Sequence, residues 1–167
     1  MKQLKQLGNQ IAQVITKAVK IELKLQGHRL TGALENSIEE RVRQTATGVR
    51  IEIEAERYAR FVNRGVPANR IPFGGSRARR SKYIEGLKRF ARLRFGVTDA
   101  QALRIAFAIA RKHKKEGMPT KNSRRFSRTG KRIEAVDDAL GKARPQIDKL
   151  TEDAFAIVVG LIIEQRI

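Results

Sequence analysis

"VRIEIEA" (Val49–Ala55) decides the fold class. Val49, Ile51 and Ile53 alternate with Arg50, Glu52 and Glu54, the period-two pattern of a strand with one buried face. Upstream, Glu39–Thr45 offers a partner strand, and Ala46–Gly48 a turn between them. A two-stranded ribbon is marginal alone and needs helices, further strands or a neighbouring subunit to cover it. Most of the remaining chain reads as helix. The expected fold is therefore α+β: a small antiparallel sheet built around a β-hairpin, packed by a long N-terminal helix and several C-terminal helices.

The helices are read from periodicity and caps. Leu4, Leu7, Ile11, Val14, Ile15, Ala18, Ile21 and Leu25 form one apolar stripe, ending near Gly27. Thr31 is placed to cap the short "GALENSI" piece at the amides of Ala33 or Leu34, with Glu35 just past the first turn. In "RYARFVNRG", Tyr58, Ala59, Phe61 and Val62 share one side of a short helix that Gly65 stops. The size of Tyr58 and Phe61 assigns them to a core or a buried joint. Ile84–Phe95 is helical with Leu87, Phe90 and Ala91 inward and Leu93 as a marginal member, and Gly96 closes it. Thr98 and Gln101 have capping-box spacing, ahead of a narrow face of Ala102, Ile105, Ala106, Ile109 and Ala110. Ile133–Leu140 is helical, and Pro145 is expected to open a separate helix at its first position. The β-branched run near the C-terminus leaves a terminal strand as the alternative there. Two segments read as irregular, "VPANRIPFGGSRARRSK" and "MPTKNSRRFSRTGK".

At 167 residues, one domain over 1–167 is the default. The chain has no cysteine, which removes disulfides, thiolate chemistry and zinc-thiolate sites. The longest apolar run, Ala154–Ile163, is too short to span a bilayer, and no membrane role is expected. The N-terminus lacks a signal-peptide core, so synthesis in the cytoplasm is expected. The charge is the strongest compositional signal: a net +19, unevenly placed. Arg57–Phe95 holds twelve Lys/Arg against one acidic residue, Arg111–Arg132 ten against one, and Ile133–Ile167 four against seven. Such blocks suit nucleic acid, an acidic protein surface, or plain solvation. In the irregular segments and at their edges, Arg77, Arg79, Arg80, Lys82, Arg124, Arg125 and Arg128 are placed to meet phosphates without reading sequence.

Signs of catalysis are weak. His28 and His113 are far apart in sequence, and no HxxxH, HExxH or DxD-like spacing occurs. His28 is expected to satisfy a loop or helix end, and His113, among lysines, to be exposed. Glu52 and Glu54 read as a solvated face or as partners of Arg41, Arg43 and Arg50 more than as an acid/base pair. "PFGGSRARR" brings Gly74, Gly75 and Ser76 near arginines but lacks the phosphate-loop pattern. No enzyme activity, cofactor or metal is expected.

The order of the motifs carries more than any one of them. "HRLTGALENSI", a hairpin ending in "VRIEIEA", "RYARFVNRG" and "IPFGG" together resemble the tail-completion, or head–tail joining, family of tailed bacteriophages. Three elements carry the resemblance: Thr31, Gly32, Leu34, Ser37 and Ile38; Tyr58, Ala59, Phe61, Val62 and Gly65; and Pro72 with Phe73. The likeness covers roughly Met1 to Phe95. It implies a structural virion protein of the neck, a ring subunit that is not an enzyme, with the first helix packed across the hairpin. It also implies contacts with its own subunits, with adaptor or portal-side proteins, with a tail tube or terminator protein, and with DNA passing through the channel. The implied location is the host cytoplasm during assembly and then the virion. Segments 64–83 and 116–132 would be assembly loops, with Arg64, Arg70, Pro72, Phe73, Arg77, Arg79, Arg80, Lys82, Arg124, Arg125 and Arg128 as contacts. Thr31, Gly32, Leu34, Tyr58, Phe61 and Gly65 would be scaffold. Two departures from the family pattern are Asn63, where relatives often carry an acidic residue, and the strong basic charge with its "EGMPTKNSRRFSRTG" segment.

Overall fold

A computed structural model of the chain describes residues 2–74 and 81–164. The elements are α1 (Lys2–Leu25), α2 (Ala33–Asn36), β1 (Glu39–Gln44), β2 (Val49–Glu54), α3 (Ala59–Arg64), α4 (Lys82–Phe95), α5 (Asp99–Glu116) and α6 (Ala135–Glu164). Among the described residues, two 3-10 turns, Ala68–Arg70 and Lys121–Phe126, lie between helices. The chain divides into two compact units, each built from separated segments. The hairpin unit comprises Met1–Leu25, Gly32–Ala59 and Glu134–Ile167, and the basic unit Gln26–Thr31 and Arg60–Ile133. The α+β fold read from the sequence is observed, with its hairpin sheet, long N-terminal helix and C-terminal helices.

In the hairpin unit, β1 and β2 pair antiparallel, Glu39 opposite Glu54 through Gln44 opposite Val49. Thr45 donates its amide to the Gly48 carbonyl (2.9 Å) and closes the turn. The register puts Arg43 opposite Arg50, a like-charge pair, and the diagonal partner Glu52 offsets it at 3.6 Å from Arg43. Arg41 likewise reaches Glu54 at 3.2 Å. Helix α1 packs on both strands. Its most buried line departs from the expected stripe: Gly8, Ala12, Thr16, Val19 and Leu23 are buried, whereas Leu4 and Ile21 are 46% and 47% exposed. The reason is close approach. A Cβ on Gly8 would lie 2.7 Å from one Val49 methyl and 2.9 Å from one of Val42, so only a residue without a side chain fits there.

On the other side of α1 lies α6, whose Ala135, Ala139 and Ala143 recur every four residues and are almost wholly buried. Pro145 sits inside α6 and does not open a new helix, which corrects the sequence expectation. Its missing N–H costs one bond, to the Gly141 carbonyl, and its ring crowds that same carbonyl. The alanine ridge just before it is held against α1, so packing keeps the helix going. The terminal segment is helical through Glu164, and the strand alternative falls. The turn into the hairpin also differs from expectation. Gly32, in the left-handed region at φ 80°, takes the N-cap of α2 in place of Thr31, and Leu34 is buried beneath it. Ser37 Oγ donates to the Leu34 carbonyl (2.9 Å) and accepts from the Glu56 amide (3.2 Å).

The basic unit is organised by an α4–α5 pair. Gly96 ends α4 in the left-handed region, and Thr98 and Gln101 form the complete capping box at the start of α5. Asp99 receives Lys88 and Arg92, each at 2.9 Å, which ties the connection to α4. Ala102, Ala106 and Ala110 are fully buried, and Ile84 and Ala91 of α4 are equally excluded from water. Leu87, Leu103, Phe107, Phe73 and Tyr83 pack around the Ile84–Ala106–Ala110 cluster. Leu93 is 54% exposed and is no part of this core, because the facing stripe of α5 is already filled through Ile84 and Ala91.

The aromatic residues of "RYARFVNRG" are also outside a core. Tyr58 is 43% exposed and Phe61 47%, against the expectation of burial. Helix α3 has six residues and none of them is buried, too short an element to deliver an apolar face. The Arg60 guanidinium instead lies over the Phe61 ring, 4.6 Å from its centre. As read from the sequence, α3 ends at Gly65, whose amide donates to the Phe61 carbonyl (2.9 Å).

Candidate functional site

Charge separates by unit. Of 36 Lys/Arg and 17 Asp/Glu, the basic unit holds 23 and 3, a net of +20, which leaves the hairpin unit with 13 and 14, a net of −1. The whole excess of the chain therefore sits on one unit. Two of that unit's three carboxylates are already engaged. Asp99 is bound by Lys88 and Arg92, and the Lys88 ammonium, chiefly, holds its carboxyl below the usual range. Glu116 takes Lys112 at 2.6 Å and the Lys121 amide at 3.1 Å.

The structure joins the bases of the two expected assembly loops. Val66 and Met118 exchange backbone hydrogen bonds of 2.7 and 2.8 Å. Beyond that bridge the described part of the first segment, through Phe73, is docked and not free. Ile71 is 2% exposed, Lys114 Nζ donates to its carbonyl (3.3 Å), and Phe73 meets Phe107 edge to face at 5.9 Å. Phe73 thus serves the core of the unit, while Arg64, Arg70 and Pro72 lie nearer the surface beside it. Lys82 opens α4 and is exposed; Arg77, Arg79 and Arg80 lie outside the described residues, as do Gly75 and Ser76.

The second segment is knit in the same way. Its 3-10 turn carries exposed Arg124 and Arg125, with the Arg125 guanidinium 4.8 Å above the half-exposed Phe126 ring, and Arg128 is exposed just beyond. Arg132 binds the turn from within, donating to the carbonyls of Gly27 (3.0 Å) and Ser123 (3.4 Å). This order comes from backbone acceptors bound by one arginine, which leaves no periodic trace in the sequence.

Neither histidine is a free surface group. His113 shares a 2.7 Å hydrogen bond from Nδ1 to the Tyr83 hydroxyl, which corrects its expected exposure. Burial pushes the Tyr83 hydroxyl up to about 12 and lowers His113. His28 is held down at about 4, first by burial and then by the positive charge of Arg132. Among the described residues no group of three His, Cys, Asp or Glu is placed to hold a metal ion, and no helix is long and apolar enough to cross a membrane.

The His28 shift has a testable sign. Unfolded, the imidazole takes a proton near pH 6.5, but folded it resists until about 4. Between these values the unfolded chain binds more protons, so stability falls as the pH drops through that window and is constant above it. The part due to His28 is about 1–2 kcal/mol after allowing for solvent screening of a partly exposed ring. Urea unfolding at pH 7.5 and pH 4.5 should show a smaller acid loss in His28→Gln than in the parent chain. Equal losses would mean that His28 is not held neutral.

No protein-family model, curated protein or solved structure matches this chain. The residues that the geometry adds to the sequence reading lie on α5. Arg104, Arg111 and Lys115 are exposed, and none has a carboxylate partner among the described residues. Their spacing of seven and four residues puts them on one helical stripe. That spacing is present in the sequence, but there the stronger apolar period of the same helix masks it.

Proposed function

We propose that this chain is a structural subunit of a tailed-phage neck, joining the portal or adaptor end of the head to the tail by ring assembly. The observation that carries the reading is α1 lying across the β1–β2 hairpin with Gly8 against Val42 and Val49, the arrangement that the motif resemblance implies. The "TG.L..SI" element forms the α2 turn that leads into the hairpin, and the "IPF" element docks on α5. Ring closure requires a different surface on each side of the protomer. The outward Phe155 and Ile157 of α6, 69% and 59% exposed, supply apolar area of the kind that such interfaces cover. Its partners are its own copies, the adaptor or portal side, the tail tube or terminator, and DNA in the channel. Particles made without this protein should show filled heads and separate tails by electron microscopy. Intact infectious virions from the same preparation would overturn the reading.

A second reading, nucleic-acid binding without sequence preference, is favoured by one observation, the net +20 of the basic unit.

A further inference from the structure

We propose that the outward face of α5, centred on Arg104, Arg111 and Lys115, is a surface for the phosphate backbone of duplex DNA. The proposal rests on the second reading above and adds the surface that does the binding. It does not depend on the neck assignment.

Three observations carry it. First, these cations are exposed and have no acidic partner among the described residues, while the nearby carboxylates Asp99 and Glu116 are taken up by Lys88, Arg92 and Lys112. Second, the face has a single sign. Between Arg104 and Lys115 the exposed positions of α5 are Arg104, Ala108, Arg111, Lys112, Lys114 and Lys115, with one small apolar residue among them. A protein–protein interface has an apolar, aromatic-rich centre depleted of charge, and this face has the opposite composition. Third, the spacing suits a regular polyanion. Along the helix the rise is about 10 Å from Arg104 to Arg111 and about 6 Å from Arg111 to Lys115. One strand of a duplex presents a charge about every 3.4 Å along its axis, so these steps approximate three and two phosphates.

The arginines favour the same partner. Sixteen of the 23 cations in the basic unit are arginine, whose planar fork meets phosphate oxygens in pairs. The helix is rigidly backed, because its inner stripe of Ala102, Ala106 and Ala110 is fully buried. Contacts made to the phosphate backbone carry no sequence information, so the binding is expected to be blind to sequence.

The test is fluorescence anisotropy of the full chain with two labelled duplexes of unrelated sequence, over a salt series. Both duplexes should bind alike, with affinity falling linearly on a log–log plot. The variant Arg104→Gln/Arg111→Gln/Lys115→Gln should make the slope shallower by about 2.7, at roughly 0.9 for each phosphate no longer neutralised. A control, Lys5→Gln/Lys17→Gln/Lys149→Gln, removes the same formal charge from exposed positions of the hairpin unit and should change the slope by less than about 1. Circular dichroism checks that both variants fold. Equal slopes in the two variants would overturn the α5 surface while leaving DNA binding by the chain intact. No binding of the parent at low salt would remove both. Displacement of duplex by polyglutamate as effectively as by unlabelled duplex, at equal charge concentration, would transfer the surface to an acidic protein partner and overturn the proposal.

Discussion

Replacing Gly27 with alanine should destabilise the basic unit by about 3 kcal/mol. Gly27 has φ +71°, and a Cβ there would sit 2.3 Å from the Phe126 carbonyl oxygen and 3.2 Å from its carbon. The obstacle is backbone, so no rotamer change relieves it. The same residue's carbonyl is the acceptor of Arg132 Nη2 at 3.0 Å, so any shift of Gly27 also disturbs the bond that pins the 3-10 turn. The left-handed conformation alone costs an L-residue about 1–2 kcal/mol, and moving the Phe126 carbonyl adds a comparable amount. Gly130 is the matched control: it has φ +73° and nothing within 4 Å of a Cβ, so alanine there should cost only about 1 kcal/mol. Urea unfolding followed by circular dichroism gives both values, and hydrogen exchange should show protection reduced first across 121–126. A Gly27→Ala change no larger than that of Gly130→Ala would mean that the close approach to Phe126 carries no energy.

The second large effect is expected at Ile84. Among the described residues its side chain is the largest of those fully shielded from solvent, and it sits on Ala106 and Ala110 of α5. Ile84→Ala should cost about 3–4 kcal/mol, and Ile84→Val about 1 kcal/mol. The cost lies toward the upper end because the facing residues are alanines, which have no side-chain reach to refill the hole. Phe73, Tyr83 and Leu87, packed around it, would be loosened together. Hydrogen exchange should then rise through α4 and α5, and with it in the docked segment at Ile71–Phe73. A destabilisation below about 0.5 kcal/mol would place Ile84 among surface substitutions and contradict its burial.

Local signals are legible in the residues. The β1–β2 pairing follows from alternation and a short turn, and the end of α4 and the start of α5 follow from Gly96, Thr98 and Gln101, because caps act within four residues. The ion pairs of Arg41 and Arg43 with Glu54 and Glu52 follow from alternation too, although their diagonal geometry needs the register. Exposure is less readable. Tyr58 and Phe61 look like core by size, yet Tyr58 lies in the turn before α3 and α3 is too short to bury Phe61. The segment after Gly117 looks like an open loop, yet Arg132 and the Val66–Met118 bridge hold it.

Amino-acid order by itself determined the α+β class, the hairpin, the capped helices and the size of the positive charge, since each depends on neighbours a few residues apart. Only the tertiary structure decided the rest. It gathered the charge onto one unit and moved the buried line of α1 onto Gly8, Ala12 and Thr16. It also carried α6 through Pro145 and left Arg104, Arg111 and Lys115 exposed, with no acidic partner among the described residues. These outcomes depend on which distant surfaces meet and how closely, and a backbone that approaches to van der Waals distance selects small residues that no hydrophobic period marks.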